Sequence, residues 1–304
     1  MKKILITGAA GFIGSNLIET LLKQKCEIAV INRSIKEHNN LIKQYIGDIT
    51  DYEFVLETVK DFQPTNIFHL AAYKERSARV EDIRTSLNVN LTGTLNLYEA
   101  LLNINCVSSV VTLGTTDEYG DCTSPYTENL KEKPSTAYGF SKLCVSKLSE
   151  FFFKNFDLPV TVFRPTIAYG PHQGMEMFIP SLINTLVKGD FYQMTKGEQV
   201  RDFIYISDLV DAMILIDNKE EFKGEIFNIG SGESIKIRTV AESIAKELDK
   251  KHLLKIGFIE YREREIMHYK TSIEKANKIM NWSPVISFEK GMKLTIEYYK
   301  NKNE

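Results

Sequence analysis

Short apolar runs alternate with longer stretches of different periodicity through the first half of the chain. Residues 3–7, 27–32, 66–71, 109–113 and 160–163 are compact apolar runs, and each precedes a longer, mostly amphipathic segment. Strand then helix, repeated, predicts a parallel sheet with helices on both faces, because parallel neighbours need crossovers that return over the sheet. Beyond about residue 165 the alternation weakens: a helix is expected at 178–188, strands at 201–206 and 225–229, and helices at 273–280 and 288–300. The segment 83–102 reads as one helix that buries Leu87, Leu91, Leu95 and Tyr98 at helical spacing.

At 304 residues the chain exceeds the usual size of one domain. It is expected to divide into a doubly wound unit over 1–165, joined by the strand near 225–229, and a smaller mixed α/β lobe over 166–304. No proline-rich or glycine-rich linker separates the halves, so they should share one interface with a ligand between them. The formal charge of −2 offers no basic stripe for nucleic-acid phosphates. Apolar runs such as 28–31 and 212–216 are too short to span a bilayer, and the N-terminus lacks a signal-like apolar region, so a cytoplasmic protein without membrane partners is expected. Cys26, Cys106, Cys122 and Cys144 are scattered without a CxxC pair, and five histidines form no HExxH, so no metal site is expected.

Specific chemistry begins at the first strand, which runs into Gly8-Ala9-Ala10-Gly11-Phe12-Ile13-Gly14 and then into a helical pattern with Leu17, Ile18, Leu21 and Leu22. Glycines here permit a tight turn and close backbone approach, which seats a pyrophosphate on the helix N-terminus. The position between strand and helix is the context that gives the motif its meaning. The second strand ends in Asn32-Arg33, with no carboxylate for the ribose hydroxyls and a guanidinium beside the site. This favours NADP(H) over NAD(H), the alternative being that Arg33 stacks on adenine or points to solvent.

Tyr138 and Lys142 lie four residues apart in a helical segment over 137–153, and so share one face. A tyrosine hydroxyl is a poor base at neutral pH, but an adjacent ammonium and a cationic nicotinamide favour its phenolate. Tyr138 could then exchange a proton with a substrate hydroxyl while a nicotinamide exchanges hydride.

With these motifs in place, the chain resembles the extended short-chain dehydrogenase/reductase family, the nucleotide-sugar epimerases, dehydratases and 4-ketoreductases. The resemblance covers nearly the whole sequence. Beside the glycine turn it includes Gly47-Asp48-Ile49, His69-Leu70-Ala71-Ala72, Asn88-Val89-Asn90-Leu91-Thr92-Gly93-Thr94, the Tyr138 to Lys142 pair, Arg164-Pro165, Tyr169-Gly170-Pro171 and Arg201-Asp202-Phe203-Ile204-Tyr205. It implies a Rossmann-like fold and a dinucleotide contacted by Gly8, Ala10, Gly11, Phe12, Ile13, Gly14, Asn32, Arg33, Asp48, Ile49, Leu70, Ala71, Ala72, Tyr138, Lys142, Pro165 and Thr166. The family's third catalytic residue lies four before the tyrosine of a Tyr-Gly pair; counting back from Tyr119-Gly120 reaches Thr115, with Thr116 as the fallback because Gly114-Thr115-Thr116-Asp117-Glu118-Tyr119-Gly120 departs from the commoner pattern. Asp117 holds the place of a dehydratase carboxylate, although an Asp is short for that task and a surface carboxylate is the other reading.

For the substrate, the resemblance points to Arg201 and Arg262 as diphosphate ligands, with Arg264 hard to separate from Arg262 and an internal salt bridge the competing role for each. Phe178 with Met177 could line a base or belong to the core, and Lys74, Tyr73, Gly174 and Met175 are pocket candidates. Asn90 could point from its helix toward the active site. The resemblance implies a homodimer through this helix and the Tyr138 helix, although their apolar faces alone would equally suit internal packing. The expected reaction is reduction of a 4-keto nucleotide-diphosphate sugar, an inference resting on the Asn32-Arg33 pair; the alternatives are 4-epimerisation, 4,6-dehydration through Asp117, and, remotely, a non-catalytic cofactor sensor.

Overall fold

β1 (Lys2–Thr7) shows in six residues how the sheet is built: Ile4 and Ile6 face one core with Leu17, Ile18 and Leu21 of α1 (Phe12–Leu21), while Leu5 faces the other. Successive strand side chains point to opposite faces, so a strand apolar at every position must be covered on both. The computed structural model describes all residues except 36–39, 75–78, 217–218, 264 and 303–304. In chain order there follow β2 (Cys26–Asn32), β3 (Ile42–Ile46), α2 (Tyr52–Phe62), β4 (Asn66–His69), α3 (Val80–Ser86), a π-helical turn (Leu87–Thr92), α4 (Gly93–Leu101) and β5 (Ser109–Leu113). Then come α5 (Ala137–Phe156), β6 (Val160–Pro165), β7 (Ile167–Tyr169), α6 (Phe178–Val187), β8 (Tyr192–Met194), β9 (Val200–Arg201), β10 (Phe203–Tyr205) and α7 (Ile206–Ile214). The chain closes with β11 (Ile226–Ile229), β12 (Ile235–Lys236), α8 (Ile237–Glu247), β13 (Leu254–Ile256) and α9 (Phe288–Asn301).

Seven strands form one parallel sheet in the order β11-β6-β5-β4-β1-β2-β3. The order reverses at β1, so α1 and α2 pack on opposite faces and the C-terminal ends of β1 and β4 open a crevice, the position where such sheets bind ligands. The smaller C-terminal region consists of three two-stranded pairings, β10 with β7, β12 with β9 and β13 with β8, packed with α6, α8 and α9. The α/β architecture, a Rossmann-like parallel sheet with a smaller mixed α/β C-terminal region, is the one the alternating pattern predicts. No helix among the described residues is long and apolar enough to cross a membrane.

Three local expectations need correction. The expected helix over 83–102 is interrupted by the π-helical turn, which admits an extra residue per turn and rolls the following face. Tyr98 is buried as expected, but Leu95 is 38% exposed, Leu87 and Leu91 are half-buried, and Leu97, Ala100 and Leu101 fill the core instead. The strand expected at 201–206 is split at Asp202 into β9 and β10, which pair with different partners, because the Asp202 carboxylate turns inward toward Ser231. The strand expected to reach Ala71 ends at His69.

Candidate active site

Gly8 has φ +71°, and a Cβ there would lie 2.6 Å from the backbone N of Ala71. Glycine thus lets the first turn lie directly on the loop after β4, whose ends are tied by Leu70 N to Thr7 O (3.1 Å) and Ala71 N to Thr7 Oγ1 (3.2 Å). At Gly14 a Cβ would meet Gly8 O at 2.5 Å, so α1 can begin against the turn, whereas Gly11 is exposed and its Cβ would meet only Gly8 O at 3.2 Å. Backbone is therefore brought close on the inner side of the turn, and the N-terminus of α1 is left approachable at Gly11. This is the shape of a pyrophosphate cradle, and it fits a dinucleotide. Asn32 is buried at the end of β2, Arg33 beside it is exposed, and Asp48 is exposed with its carboxylate accepting from Thr50 N (2.9 Å) and Thr50 Oγ1 (2.8 Å). Ile49 is buried behind it, its carbonyl accepting from Asn96 Nδ2 at 3.0 Å. Below the cradle His69 spans Thr7 Oγ1 (2.7 Å) and Thr94 Oγ1 (2.8 Å), and complete burial pushes its pKa down to about 3, so it is neutral.

The second half of the site gathers at the C-terminal end of β5. Thr136 caps α5 by accepting from Gly139 N at 3.0 Å, which starts the helix one residue before Tyr138. Tyr138 and Lys142 are both buried on it. Lys142 Nζ donates to Leu113 O at 2.6 Å, and burial lowers its pKa to about 8; nearby Lys74 acts in the same direction and Glu118 against it. Two residues beyond Leu113, Thr115 caps a single 3-10 turn, Thr116–Glu118, with its hydroxyl accepting from Asp117 N at 3.2 Å. An accepting hydroxyl still carries its own proton. Thr116 is committed elsewhere: its hydroxyl donates to Pro165 O at 3.0 Å and bonds to the Tyr269 hydroxyl. A Cβ on Gly139 would fall 2.6 Å from Asp117 O, so the first turn of α5 lies directly on the 3-10 turn. Thr115, Tyr138 and Lys142 are thereby brought together, with Asp117 half-buried beside them.

Other predicted residues are placed less simply. Asn90 lies on the π-helical turn with its amide engaged: Oδ1 accepts from Tyr73 N (2.7 Å), and Nδ2 donates to Tyr73 O (3.0 Å) and Ser141 Oγ (2.8 Å). It fastens the Tyr73 loop to α5 between Tyr138 and Lys142. Lys74, next to Tyr73, is exposed. Arg201 is paired with Glu265, donates to Val200 O (2.8 Å) and Ile266 O (2.7 Å), and lies 5.8 Å from the Tyr269 ring centroid. Arg262 is exposed, and Arg264 lies outside the described residues. Phe178 is half-buried with its ring 6.4 Å from that of Tyr192. Thr166, next to Pro165, donates to Asp202 Oδ1 at 3.4 Å. Asp202 also accepts from Ser231 N (2.8 Å) and Ser231 Oγ (2.7 Å), and its burial raises its pKa to about 6. The sequence reading passed over Glu118, Ser146 and Tyr269. The one available signal was Arg164, a charge at the end of an apolar strand that required a buried partner.

Cradle, tyrosine-lysine helix and adjoining threonine turn are the parts of a dinucleotide-dependent enzyme site. The sequence matches the model of the NAD dependent epimerase/dehydratase family over residues 4–230, and the chain belongs to that family. It is 29% identical to the UDP-glucuronate 4-epimerase of Thermodesulfobacterium geofontis, over 100% of this chain and 98% of that protein. Among solved structures it is similar to the UDP-glucose 4-epimerase of Thermotoga maritima (26% identity, TM-score 0.93, covering 99% of this chain and 100% of that one). A dTDP-glucose 4,6-dehydratase of Bacillus anthracis is also similar (26% identity, TM-score 0.88, covering 100% and 98%). These relatives correct one expectation. Solved relatives at 26 to 27% identity hold NAD, which overturns the preference for NADP(H) drawn from Asn32-Arg33. Arg33 stands exposed at the end of β2, and one solvated guanidinium does not by itself build a phosphate pocket.

Proposed function

We propose that the chain is an NAD-dependent 4-epimerase of a UDP-linked hexose or hexuronic acid. The observation that carries this reading is the buried Lys142 ammonium, hydrogen-bonded to Leu113 O on the helix that bears Tyr138 and packed against the turn that begins at Thr115. Tyr138 takes the proton of the sugar 4-hydroxyl, with Lys142 favouring its phenolate and Thr115 donating to the same oxygen. When bound, NAD would supply the redox chemistry at C4, a hydride acceptor that can give the same hydride back. Ala71, Ala72 and Pro165 would line the bound dinucleotide, while Gly8, Gly11 and Gly14 would admit its pyrophosphate. Arg201 takes the substrate diphosphate in exchange for Glu265, a guanidinium being suited to either oxyanion.

Net reduction of a 4-keto sugar was expected only because a phosphorylated, mostly reduced cofactor was expected. With NAD in the relatives, reactions that return the hydride to their own substrate take its place. Dehydration at C4 and C6 is a second reading, favoured by Asp117 half-buried two residues after Thr115. A homodimer through α4 and α5 is also proposed, on the exposed Leu95, Leu102, Phe140 and Phe151 along those helices. Incubation with UDP-glucose, UDP-glucuronate and dTDP-glucose, followed by product mass and proton NMR, tests the reaction. A product of unchanged mass with inverted C4 and no net change in cofactor absorbance is expected; loss of water or stoichiometric consumption of reduced cofactor would sink the proposal.

A further inference from the structure

Glu118 is a carboxylate with no exposed surface, at the last position of the 3-10 turn, and its donors come from three separate parts of the fold. Oε1 accepts from Thr115 N at 2.8 Å; Oε2 accepts from Ser146 Oγ at 2.8 Å and from Arg164 Nε at 2.7 Å. Ser146 lies one turn beyond Lys142 on α5, and Arg164 lies on β6 next to Pro165. Arg164 is closed off in turn: Nη2 donates to Glu132 Oε1 at 2.7 Å, Nη1 to the Tyr119 hydroxyl at 3.1 Å, and its guanidinium carbon lies 4.9 Å from the Tyr119 ring centroid. A buried ion pair of this kind is a weak contributor to net stability, since apolar groups of equal volume often serve as well. What apolar groups lack is direction. Each oxygen of Glu118 fixes a named donor at hydrogen-bond distance, and those donors belong to the threonine turn, the Tyr138 helix and the strand ending at Pro165.

We infer that Glu118 is a positioning residue: its carboxylate holds Thr115, α5 and β6 in one register. This rests on the reading of Thr115, Tyr138 and Lys142 as the reacting set. Among the described residues, the charged and titratable groups acting on Lys142 are Glu118 from the 3-10 turn, Lys74 from the loop after β4 and neutral His69 from β4, while Tyr138 lies one turn before it on α5. Those facing Glu118 are Lys142, Arg164 and, through Arg164, Glu132 and Tyr119. Among the described residues acting on Lys142, Glu118 is the carboxylate and opposes the burial that lowers the Lys142 pKa.

Glu118→Gln separates the two contributions from mere filling of space. Its volume is nearly unchanged, but one oxygen becomes an NH2, so a donor must face either Thr115 N or the Ser146 and Arg164 donors, and the anion is gone. The expected result is a kcat lower by about tenfold with KM for NAD and sugar nucleotide within about twofold, as for a small misplacement of reacting groups. The alkaline limb of the kcat profile should also move to lower pH, because Lys142 gives up its proton sooner without Glu118. Ser146→Ala removes only the tie to α5 and no charge; it should lower kcat several-fold, leave the alkaline limb in place, and provide the test if the glutamine variant does not fold. Unchanged kcat in Ser146→Ala, or a Glu118→Gln loss accompanied by a lower melting temperature and an unmoved limb, overturns the inference. Tyr138→Phe serves as the reference: if it still turns over, the reacting set and this inference both fall, whereas an inert Tyr138→Phe beside a fully active Glu118→Gln overturns the inference alone.

Discussion

Replacing Lys142 by methionine should lower turnover about a hundredfold while making the protein more stable at neutral pH. Burial lowers the Lys142 pKa from its ordinary 10.5 to about 8, which corresponds to about 3 kcal/mol against the charged form in the folded state. At pH 7 both folded and unfolded chains carry the ammonium, so the folded state bears this cost in full. Methionine removes it but leaves Leu113 O without the 2.6 Å bond from Nζ. That loss offsets about 1–2 kcal/mol, for a net gain of about 1–2 kcal/mol at pH 7. Between pH 8 and 10.5 the folded wild type releases its proton while the unfolded chain keeps its own, so wild-type stability rises with pH relative to the variant. Urea unfolding of both proteins, free of cofactor and at equal concentration, at pH 7 and pH 10 measures the difference. A variant less stable than wild type at pH 7, or a difference that does not narrow by pH 10, would refute the argument. Turnover in the variant should fall by about two orders of magnitude, since Tyr138 loses the cation that favours its phenolate.

The remaining expectations concern the cofactor turn and the acid beside Thr115. Gly8→Ala places a Cβ 2.6 Å from Ala71 N at φ +71°, and should cost about 2–3 kcal/mol of stability and most NAD binding, seen as a lower melting temperature and a raised Kd. Arg33→Ala should leave the KM for NAD within about threefold, because an exposed guanidinium contributes little; a tenfold rise would restore Arg33 to the binding site. Asp117→Asn should retain epimerisation within about threefold, given that hydride return needs no second base; a loss of about a hundredfold with a dTDP-sugar would instead favour elimination of water.

Much of the site was legible in the sequence because its parts are local. A glycine turn between strand and helix is a matter of seven consecutive residues, and Tyr138 and Lys142 share a face because α5 repeats every 3.6 residues. The expected strands at 109–113 and 160–163 stand at or close to their observed limits, since β5 and β6 are buried along their whole length and so covered on both faces. Errors arose where a distant partner or a local irregularity intervened. The π-helical turn at Leu87–Thr92 carries Asn90, whose amide is held by Tyr73 and Ser141, and it turned Leu95 outward against the regular period. Asp202 broke its strand because its carboxylate reaches Ser231, 29 positions along the chain.

By itself, then, the sequence determined the alternating α/β order, the glycine turn between strand and helix, and the shared helix face of Tyr138 and Lys142, all of which depend on neighbours within a few residues. The tertiary structure decided how those parts meet. It engaged Thr116 with Pro165 and Tyr269, and it paired Arg201 with Glu265, 64 positions away. It also enclosed Glu118 between Thr115, Ser146 and Arg164. Nothing in local periodicity encodes such contacts, because a buried charge is satisfied by whichever donors the closed fold brings within about 3 Å.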